Sequence, residues 1–480
     1  IFNVLSLLGG LAMFLYGMSV MGDGLAKTAG GKLEKILEKL TSTPIKGVLL
    51  GAAVTGVIQS SSATTVMVVG LVNSGIMKLR QAVGIIMGAN IGTTVTSWIL
   101  SLTGIQSDNI FINMLKPSSF SPILAVIGII FLMFTKSEKK HDIGGIFLGF
   151  TVLMFGMEMM SGAVAPLKDV PEFTNILTMF SNPFLGMLVG MLITAIIQSS
   201  SASVGILQAL CATGAVSFGT AIPIIMGQNI GTCVTALISC IGTKKNAKRA
   251  AFVHLYFNII GTVVFMVVFY TVNSFVHFQF LNDSANAAGI AVVHSVFNVA
   301  ATLLLLPFSG GLEKLATLTV RDKDEVKRNT PAELEMLKRL DVRFLEKPAF
   351  AVGHCIEVVK YMAQLSRNSV DMALSLVDNY DEAVRYKVEN LEGIIDTYED
   401  EVGSYMVKLS SKELSHEDSQ KVSIGLHVIG DLERMSDHAI TIADICKKMN
   451  EAGASFSEKA KSELGVYKAA VQNIVSMTVE

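Results

Sequence analysis

Long apolar segments separated by short polar ones fill the first two thirds of the chain. A helix needs about 17–25 mainly apolar residues to cross a bilayer. Seven segments meet this condition: Phe2–Gly22, Gln81–Leu102, Pro117–Thr135, Ile143–Val164, Gly219–Ile241, Ala250–Val272 and Ala288–Phe308. The pattern therefore predicts an all-α, polytopic membrane protein.

Two further apolar stretches, Pro44–Gly75 and Pro183–Gly214, are each interrupted in the middle by the tetrapeptide Gln-Ser-Ser-Ser. Each half has about 14 residues, which is too short to span a bilayer but suits one limb of a re-entrant hairpin. We therefore predict that each stretch folds as a helical hairpin that enters and leaves the membrane on one side.

Both stretches belong to an internal repeat with a constant offset of 139 residues, the step from Gln59 to Gln198. The offset carries Gln59-Ser60-Ser61-Ser62 to Gln198-Ser199-Ser200-Ser201 without a gap. It also carries Gly88-Ala89-Asn90-Ile91-Gly92-Thr93 to Gly227-Gln228-Asn229-Ile230-Gly231-Thr232. Duplicated polar breaks in hydrophobic segments are the best sequence indication of the binding site of a secondary transporter.

Basic residues predict how the segments are oriented, because cytoplasmic loops are enriched in Lys and Arg. They cluster in Lys27–Lys46, Lys78–Arg80, Lys136–Lys140 and Lys244–Arg249. One topology fits these clusters: the N-terminus outside, three crossings per repeat and the C-terminal part in the cytoplasm of a cell membrane. Three is an odd number, so the second repeat is inverted relative to the first, and the two hairpins enter from opposite sides.

The composition changes near the end of the second repeat. The whole chain has 51% hydrophobic and only 16% charged residues, against about 25% charged residues in a soluble domain. After Glu313 charges become frequent and long apolar runs stop. We assign residues 1–139 to membrane repeat one, 140–309 to membrane repeat two, 310–335 to a linker and 336–480 to a cytoplasmic helical bundle.

Apolar residues at helical spacing, with charges between them, predict amphipathic helices in the bundle. The predicted helices are Phe350–Val377, Glu382–Leu409, Asp418–Met449 and Phe456–Thr478. Antiparallel packing of the first three would form a bundle.

The Gln-Ser-Ser-Ser tips suit the binding of a small ion. A helix that begins at the serine run directs its free N–H groups and positive dipole end at the cavity, which favours an anion. Serine hydroxyls can donate to an oxyanion, and they can also accept, like the Gln carbonyl, so a small cation fits as well. The alternative is that these side chains only join helices in the membrane.

The second motif, Gly-x-Asn-Ile-Gly-Thr, has features of a cation site. Paired glycines weaken a helix, and freed carbonyls together with the oxygens of Asn90, Thr93, Asn229 and Thr232 suit a monovalent cation. The alternative is a glycine-mediated helix contact with Asn as a link between helices. Neither motif contains a carboxylate, the usual proton relay in membranes, so sodium is favoured over protons as the coupling ion.

Charged residues outside these motifs form three further candidate sets. Arg80 opens the helix that leads to Asn90, and from spacing alone it is an ordinary positive-inside anchor. Pairs of acids four residues apart share a helix face and could hold a metal ion. They are Glu392 with Asp396 and Glu433 with Asp437. On spacing alone, a solvated face with ion pairs is the favoured interpretation.

The two tetrads, each followed by a Gly-x-Asn-Ile-Gly-Thr element, resemble the type II sodium-phosphate cotransporter family over roughly Gly9 to Pro307. The resemblance implies sodium-driven transport of inorganic phosphate. It implies phosphate contacts from Gln59–Ser62, Gln198–Ser201 and Arg80. The implied sodium ligands are Gln59, Asn90, Thr93, Gln198, Asn229 and Thr232. The inter-repeat connection, Lys136–Asp142, is short, as in compact bacterial members.

The run Leu432–His438 is similar to the signature of PhoU-like domains, which are helical bundles linked to phosphate regulation. That similarity implies a divalent or iron-type metal at Glu392, Asp396, Glu433 and Asp437.

These observations together predict a sodium-coupled secondary transporter of inorganic phosphate in the lipid bilayer. They do not indicate an enzyme or a nucleic-acid-binding protein, because no Ser/His/Asp set and no nucleotide loop is recognisable. The alternatives are a membrane phosphate sensor that signals through its PhoU-like domain, and a phosphate exporter. The sequence leaves open the direction, the sodium stoichiometry, the selectivity against arsenate or sulfate, and the oligomeric state.

Overall fold

The structure, a computed structural model, describes residues 2–29, 43–104, 116–321 and 331–479. Across these ranges it is helical and contains no β-strand, only one isolated bridge between Ser217 and Ser284. The chain divides into two compact units, residues 1–324 and 325–480. The predicted all-α class is confirmed.

The first unit contains the apolar helices. Its described helices are α1 (Phe2–Ala29), α2 (Pro44–Ile58), α3 (Ser61–Ser74), α4 (Leu79–Ser101), α5 (Pro117–Phe134), α6 (Glu138–Val164), α7 (Pro171–Met179), α8 (Pro183–Ile197), α9 (Ser200–Cys211), α10 (Phe218–Gly231), α11 (Cys233–Ser239), α12 (Lys245–Val276), α13 (Ala287–Leu305) and α14 (Ser309–Thr319).

Within the described ranges, six helices are long and apolar enough to cross a membrane. They coincide with six of the seven predicted spans. The seventh, α5, is apolar but shorter. Residues 310–319, predicted as the start of the linker, form most of α14 and extend the span that begins at Ala287. The limbs α2, α8 and α9 are short apolar helices, and the predicted re-entry of the hairpins stays a prediction.

Glycines bring the first helices of the two repeats into backbone contact. A Cβ atom added to Gly17 of α1 would lie 2.6 Å from the carbonyl oxygen of Gly149 in α6, and one added to Gly10 would lie 3.0 Å from that of Gly156. The contacts run in opposite order along the two helices, so α1 and α6 are antiparallel. The offset of 139 carries Gly10 to Gly149 and Gly17 to Gly156, so the contact has a local twofold relationship.

The Gly-x-Asn-Ile-Gly-Thr motifs use the same kind of contact. A Cβ atom on Gly88 of α4 would lie 2.0 Å from the carbonyl oxygen of Val48 in α2, and one on Gly227 of α10 would lie 1.9 Å from that of Met187 in α8. Each motif glycine therefore lets its helix lie directly against the first limb of the neighbouring hairpin.

An apolar core joins the second hairpin to α1 and α6. Phe14 is fully buried beside Leu153, Met157 and Ala202, and a Cβ atom on Gly205 of α9 would lie 2.5 Å from the Phe14 ring. The limb that follows the second Gln-Ser-Ser-Ser tip is therefore held against the paired first helices.

The second unit is the predicted helical bundle. Its long helices are α15 (Pro348–Leu376), α16 (Glu382–Ser410), α17 (His416–Glu451) and α18 (Glu458–Val479), close to the predicted bounds. Arg385 of α16 pairs with Asp444 of α17 at 2.8 Å. The Tyr405 hydroxyl donates to the backbone carbonyl of Asp341 at 3.0 Å, which fixes the preceding 3₁₀ turn (Val342–Glu346) on the bundle.

The glycine contact between α1 and α6 predicts an effect of a single methyl group. Gly149→Ala places a Cβ atom 2.5 Å from the backbone nitrogen of Met21, so we expect a loss of stability of about 1–3 kcal/mol from overpacking. The measurement is the melting temperature of the purified protein in detergent.

Gly162→Ala, in the same helix, is the matched control, because nothing lies within 4 Å of its added Cβ atom. We expect it to be neutral or to stabilise the helix by up to about 1 kcal/mol. Equal melting temperatures for the two variants would contradict the proposed close contact.

Candidate functional site

The first Gln-Ser-Ser-Ser tip is a left-handed turn between two helices. α2 ends at Ile58, and Gln59 follows with φ of 59°, a conformation that non-glycine residues adopt uncommonly. Ser60 is extended and caps α3, its Oγ accepting from the backbone nitrogen of Ala63 at 3.1 Å. A helix does begin at the serine run, which is the condition for the anion-binding interpretation.

The second tip has the same backbone. α8 ends at Ile197, Gln198 has φ of 57°, and Ser199 caps α9 by accepting from the backbone nitrogen of Ala202 at 3.2 Å. The left-handed region costs free energy for a residue with a side chain. Its occurrence at both glutamines therefore marks a feature that the surrounding structure enforces.

The two tips lie next to each other. The Ser62 hydroxyl donates to the backbone carbonyl of Gln198 at 3.5 Å. Thr96 of α4 lies between the tips: its hydroxyl donates to Gln59 Oε1 at 2.8 Å and accepts from the Ser201 hydroxyl at 3.4 Å. The structure thus brings together two tips whose sequence positions differ by 139 residues.

This arrangement concentrates hydrogen-bonding groups at two helix N-termini. Ser61 and Ser200, the first residues of α3 and α9, are almost fully buried. The first N–H groups of a helix carry a positive partial charge and attract anions. Hydroxyl and glutamine oxygens beside them can accept from a donor or face a small cation.

Arg80 does not lie at the tips. It is the second residue of α4 and is exposed. Thr96, which contacts both tips, lies 16 residues further along the same helix, a distance of roughly 24 Å at 1.5 Å per residue. The phosphate contact that the resemblance implied for Arg80 therefore has no support in this arrangement.

The predicted sodium residues of the second motif are buried but mostly bonded within their own helices. Asn229, Thr93 and Thr232 each donate to the carbonyl four residues earlier. Asn90 differs, because its amide nitrogen donates to Asn258 Oδ1 of α12 at 3.1 Å. In both asparagines the recorded bond uses the amide nitrogen, which leaves the acceptor capacity of Oδ1 for another partner.

The backbone of these motifs is less broken than we expected. α4 runs without interruption from Leu79 to Ser101, so repeat one has no unwound carbonyls at its motif. In repeat two the helix is interrupted only at Thr232, between α10 and α11. The glycines serve close helix packing, and tertiary contacts there keep the helix intact despite its weak intrinsic propensity.

A second repeated pattern, outside the predicted site residues, lies on α12 and α13. His254 and Asn258 of α12 recur as His294 and Asn298 of α13, 40 residues later, in the pattern His-x-x-Phe-Asn. All four are buried. His294 Nδ1 lies 2.7 Å from the hydroxyl of Ser97 in α4. A search for repeats shorter than 139 residues would have found this signal.

α12 therefore contacts the motif helix of repeat one and the short helix that follows the motif of repeat two. Its Asn258 accepts from Asn90 of α4 and donates to Cys233 Sγ of α11 at 3.3 Å. The Cys233 thiol in turn donates to the backbone carbonyl of His254 at 3.5 Å. Neither ring nitrogen of His254 has a hydrogen-bond partner in the parts of the chain that the structure describes.

In the second unit the two acid pairs approach each other. Burial, with repulsion from Asp396 and Asp437, raises the pKa of Glu392. Burial and the adjacent Asp437 also raise the pKa of Glu433. Across the described ranges, however, no three or more His, Cys, Asp or Glu side chains form a group that could hold a metal ion. The geometry therefore gives no support to the implied divalent or iron-type metal.

Comparison with known proteins identifies the family. Residues 13–162 and 169–292 match the family model described as Na+/Pi-cotransporter, and residues 359–446 match the PhoU domain. The first match covers more than half of the chain, so the chain belongs to the Na+/Pi-cotransporter family. This is a family of transporters and not of enzymes, and the apolar helices make the chain a multi-pass membrane protein.

The relatives include proteins named for different functions. The chain is 30% identical to the uncharacterized protein YqeW of Bacillus subtilis, over 65% of this chain and 97% of the relative. It is 24% identical to the putative inorganic phosphate export protein YjbB of Salmonella typhimurium, over 96% of this chain and 81% of the relative. It is 24% identical to the sodium-dependent phosphate transport protein 2A of Ovis aries, over 54% of this chain and 60% of the relative. No solved structure matches.

The asparagine bridge between α4 and α12 predicts a difference between two similar variants. Asn258→Leu leaves the buried amide of Asn90 without its acceptor, which costs about 1–3 kcal/mol. We expect a lower melting temperature of the purified protein in detergent.

Asn298→Leu is the matched control from the repeated pattern. The Asn298 amide donates only to its own helix, at the carbonyl of His294, and Oδ1 has no partner in the described ranges. Leucine has a similar volume, so we expect a much smaller change. A larger loss at position 298 than at position 258 would contradict the assigned roles.

Proposed function

We propose that this protein is a secondary transporter that couples sodium to the movement of inorganic phosphate, with phosphate held between the two Gln-Ser-Ser-Ser tips. The observation that supports this most directly is the contact between Ser62 and the backbone of Gln198. It means that one small anion could reach residues of both repeats at once.

Phosphate binding would use the helix N-termini and the hydroxyl groups. The dipoles of α3 and α9 favour negative charge at their first residues, and serine hydroxyls can rotate to donate to a tetrahedral oxyanion. The proposed phosphate residues at the tips are Gln59, Ser60, Ser61, Ser62, Gln198, Ser199, Ser200 and Ser201.

Sodium binding would use the neutral oxygens nearby, because a hard cation prefers oxygen ligands. The carbonyl of Gln59 already accepts from Thr96, so sodium would compete with or join that bond. The proposed residues are Gln59, Asn90, Thr93, Gln198, Asn229 and Thr232. The family and the sodium-dependent relative support sodium as the coupling ion.

Alternating access would follow from inverted repeats. The antiparallel glycine contact between α1 and α6 supports this arrangement, since repeat-related helices run in opposite directions. Inverted repeats of this kind move against each other around a fixed site. The basic clusters support a cytoplasmic position for the PhoU-like unit, where it could regulate transport.

Phosphate export is the second candidate for the direction of transport. One observation favours it: relatives that match nearly the whole chain, PhoU-like part included, are named putative inorganic phosphate export proteins. The same site would serve either direction, because the direction depends on the gradients and not on the ligands.

The proposal predicts sodium-dependent flux. Proteoliposomes containing the full chain should accumulate radiolabelled phosphate when an inward sodium gradient is imposed, and an inward potassium gradient should give only background uptake. The double variant Gln198→Ala, Ser200→Ala should lose most of this flux, because it removes donors and acceptors from the second tip.

Ser274→Ala is the control for that variant, since the Ser274 hydroxyl bonds only to Thr271 of its own helix at an exposed position. It should transport like the wild type. Equal uptake in potassium would exclude sodium coupling, and normal uptake by the double variant would exclude the tip site. Phosphate binding without flux would instead favour the sensor.

A further inference from the structure

The threonine hydroxyls around the first tip all form hydrogen bonds. The Thr55 hydroxyl donates to the Thr64 hydroxyl at 3.0 Å, which lies 3.0 Å from the backbone carbonyl of Ser60. Thr96 donates to Gln59 Oε1. The hydroxyls of Thr55, Thr64 and Thr96 are buried, and each has a partner.

The corresponding hydroxyls at the second tip have no hydrogen-bond partner in the described ranges. The offset of 139 carries Thr55 to Thr194, Thr64 to Ser203 and Thr96 to Thr235. All three hydroxyl oxygens are buried without a hydrogen-bond partner in the described ranges. Two tips with the same sequence and backbone therefore differ in how their side chains are bonded.

The glutamines show the same asymmetry. Gln59 is buried, with 6% of its surface exposed, and bonds to Thr96 and to the backbone of Gly56. Gln198 has the same left-handed backbone but is exposed. The first glutamine is thus secured inside the protein, and the second is not.

Three unpaired buried hydroxyls in one place need a physical reason, because buried polar groups nearly always have partners and leaving one unpaired costs free energy. The first repeat shows which bonds these hydroxyls could form, because their counterparts Thr55, Thr64 and Thr96 form them there. A second conformation in which the repeats exchange roles would satisfy them.

We propose that Thr96 and Thr235 are positioning residues that act in alternation, each securing the glutamine of its own tip in one of two opposite-facing states. In the state described here Thr96 holds Gln59. In the opposite state Thr235 would donate to Gln198 Oε1, Thr194 and Ser203 would bond to each other, and Thr96 would release Gln59. This inference rests on the proposed alternating-access function.

The contacts between the tips already fit such an exchange. Ser201 donates to Thr96, and its counterpart Ser62 lies against the backbone of Gln198, the residue that Thr235 would hold. In the opposite state Ser62 would donate to Thr235 as Ser201 now donates to Thr96. Each threonine would then connect the two repeats in its own state.

Hydrogen–deuterium exchange of the full chain in lipid nanodiscs tests the alternation, read by mass spectrometry on the peptides 55–66 and 194–205. Thr96→Val removes a bond from the present state. It should raise exchange at 55–66 about tenfold, the change for about 1.4 kcal/mol, and lower exchange at 194–205. Thr235→Val should do the reverse: it should lower exchange at 55–66 and raise exchange at 194–205.

Conservative variants separate positioning from packing. Thr96→Ser and Thr235→Ser keep the hydroxyl and should exchange like the wild type. Thr151→Val is the control for removing a bonded hydroxyl elsewhere, since Thr151 bonds to Ser121 and Phe147, and it should leave both tip peptides unchanged. If Thr96→Val does not fold, Thr235→Val alone decides, because it removes no bond present in this state.

The inference is overturned if the two valine variants shift a peptide in the same direction, or if Thr235→Val leaves both peptides unchanged. The readout needs neither phosphate nor sodium, so it is separate from the test of the proposed function. Opposed shifts without sodium-dependent uptake would reject the transport proposal alone. Normal uptake without opposed shifts would reject the alternation alone.

Discussion

The left-handed turn at each Gln-Ser-Ser-Ser tip is the constraint on which the site depends. A chain that reverses between two short apolar helices leaves several backbone N–H and carbonyl groups without a partner inside a helix. The turn solves this with few residues. A glutamine in the left-handed region ends the first helix, and the next serine caps the second helix with its own side chain. The N–H groups that remain are those that could face an ion.

The two turns can come together because glycines elsewhere in the structure have no side chain that would keep the helix backbones apart. The antiparallel contact of α1 with α6, and the contacts of α4 and α10 with the first limbs of the hairpins, each bring backbones closer than any Cβ atom would allow. These backbone contacts determine where the two tips lie. The polar residues of the site then need no long side chains, since the scaffold has already placed hydroxyls and amides within reach of each other.

The chain of polar contacts extends beyond the tips. From Gln59 it passes through Thr96 of α4, and the same helix reaches α12 through Asn90 and α13 through Ser97. Helices outside the hairpins are thereby tied to the helix that touches both tips. The two repeats nevertheless use their equivalent hydroxyls differently, so the sequence symmetry is not reproduced in the hydrogen bonds.

The helices, the repeat, the sequence positions of both tips and the family can be predicted from the sequence, because apolar segment length, periodicity and a fixed offset are local or translational properties of the chain. It also identified the glutamines and serines that meet. The folded structure alone shows that Thr96, and not the Arg80 end of α4, contacts the tips, and that Asn258 pairs with Asn90. Those outcomes depend on which helix faces contact each other. Helix packing is set by the shape of many small side chains acting together, which no single motif encodes.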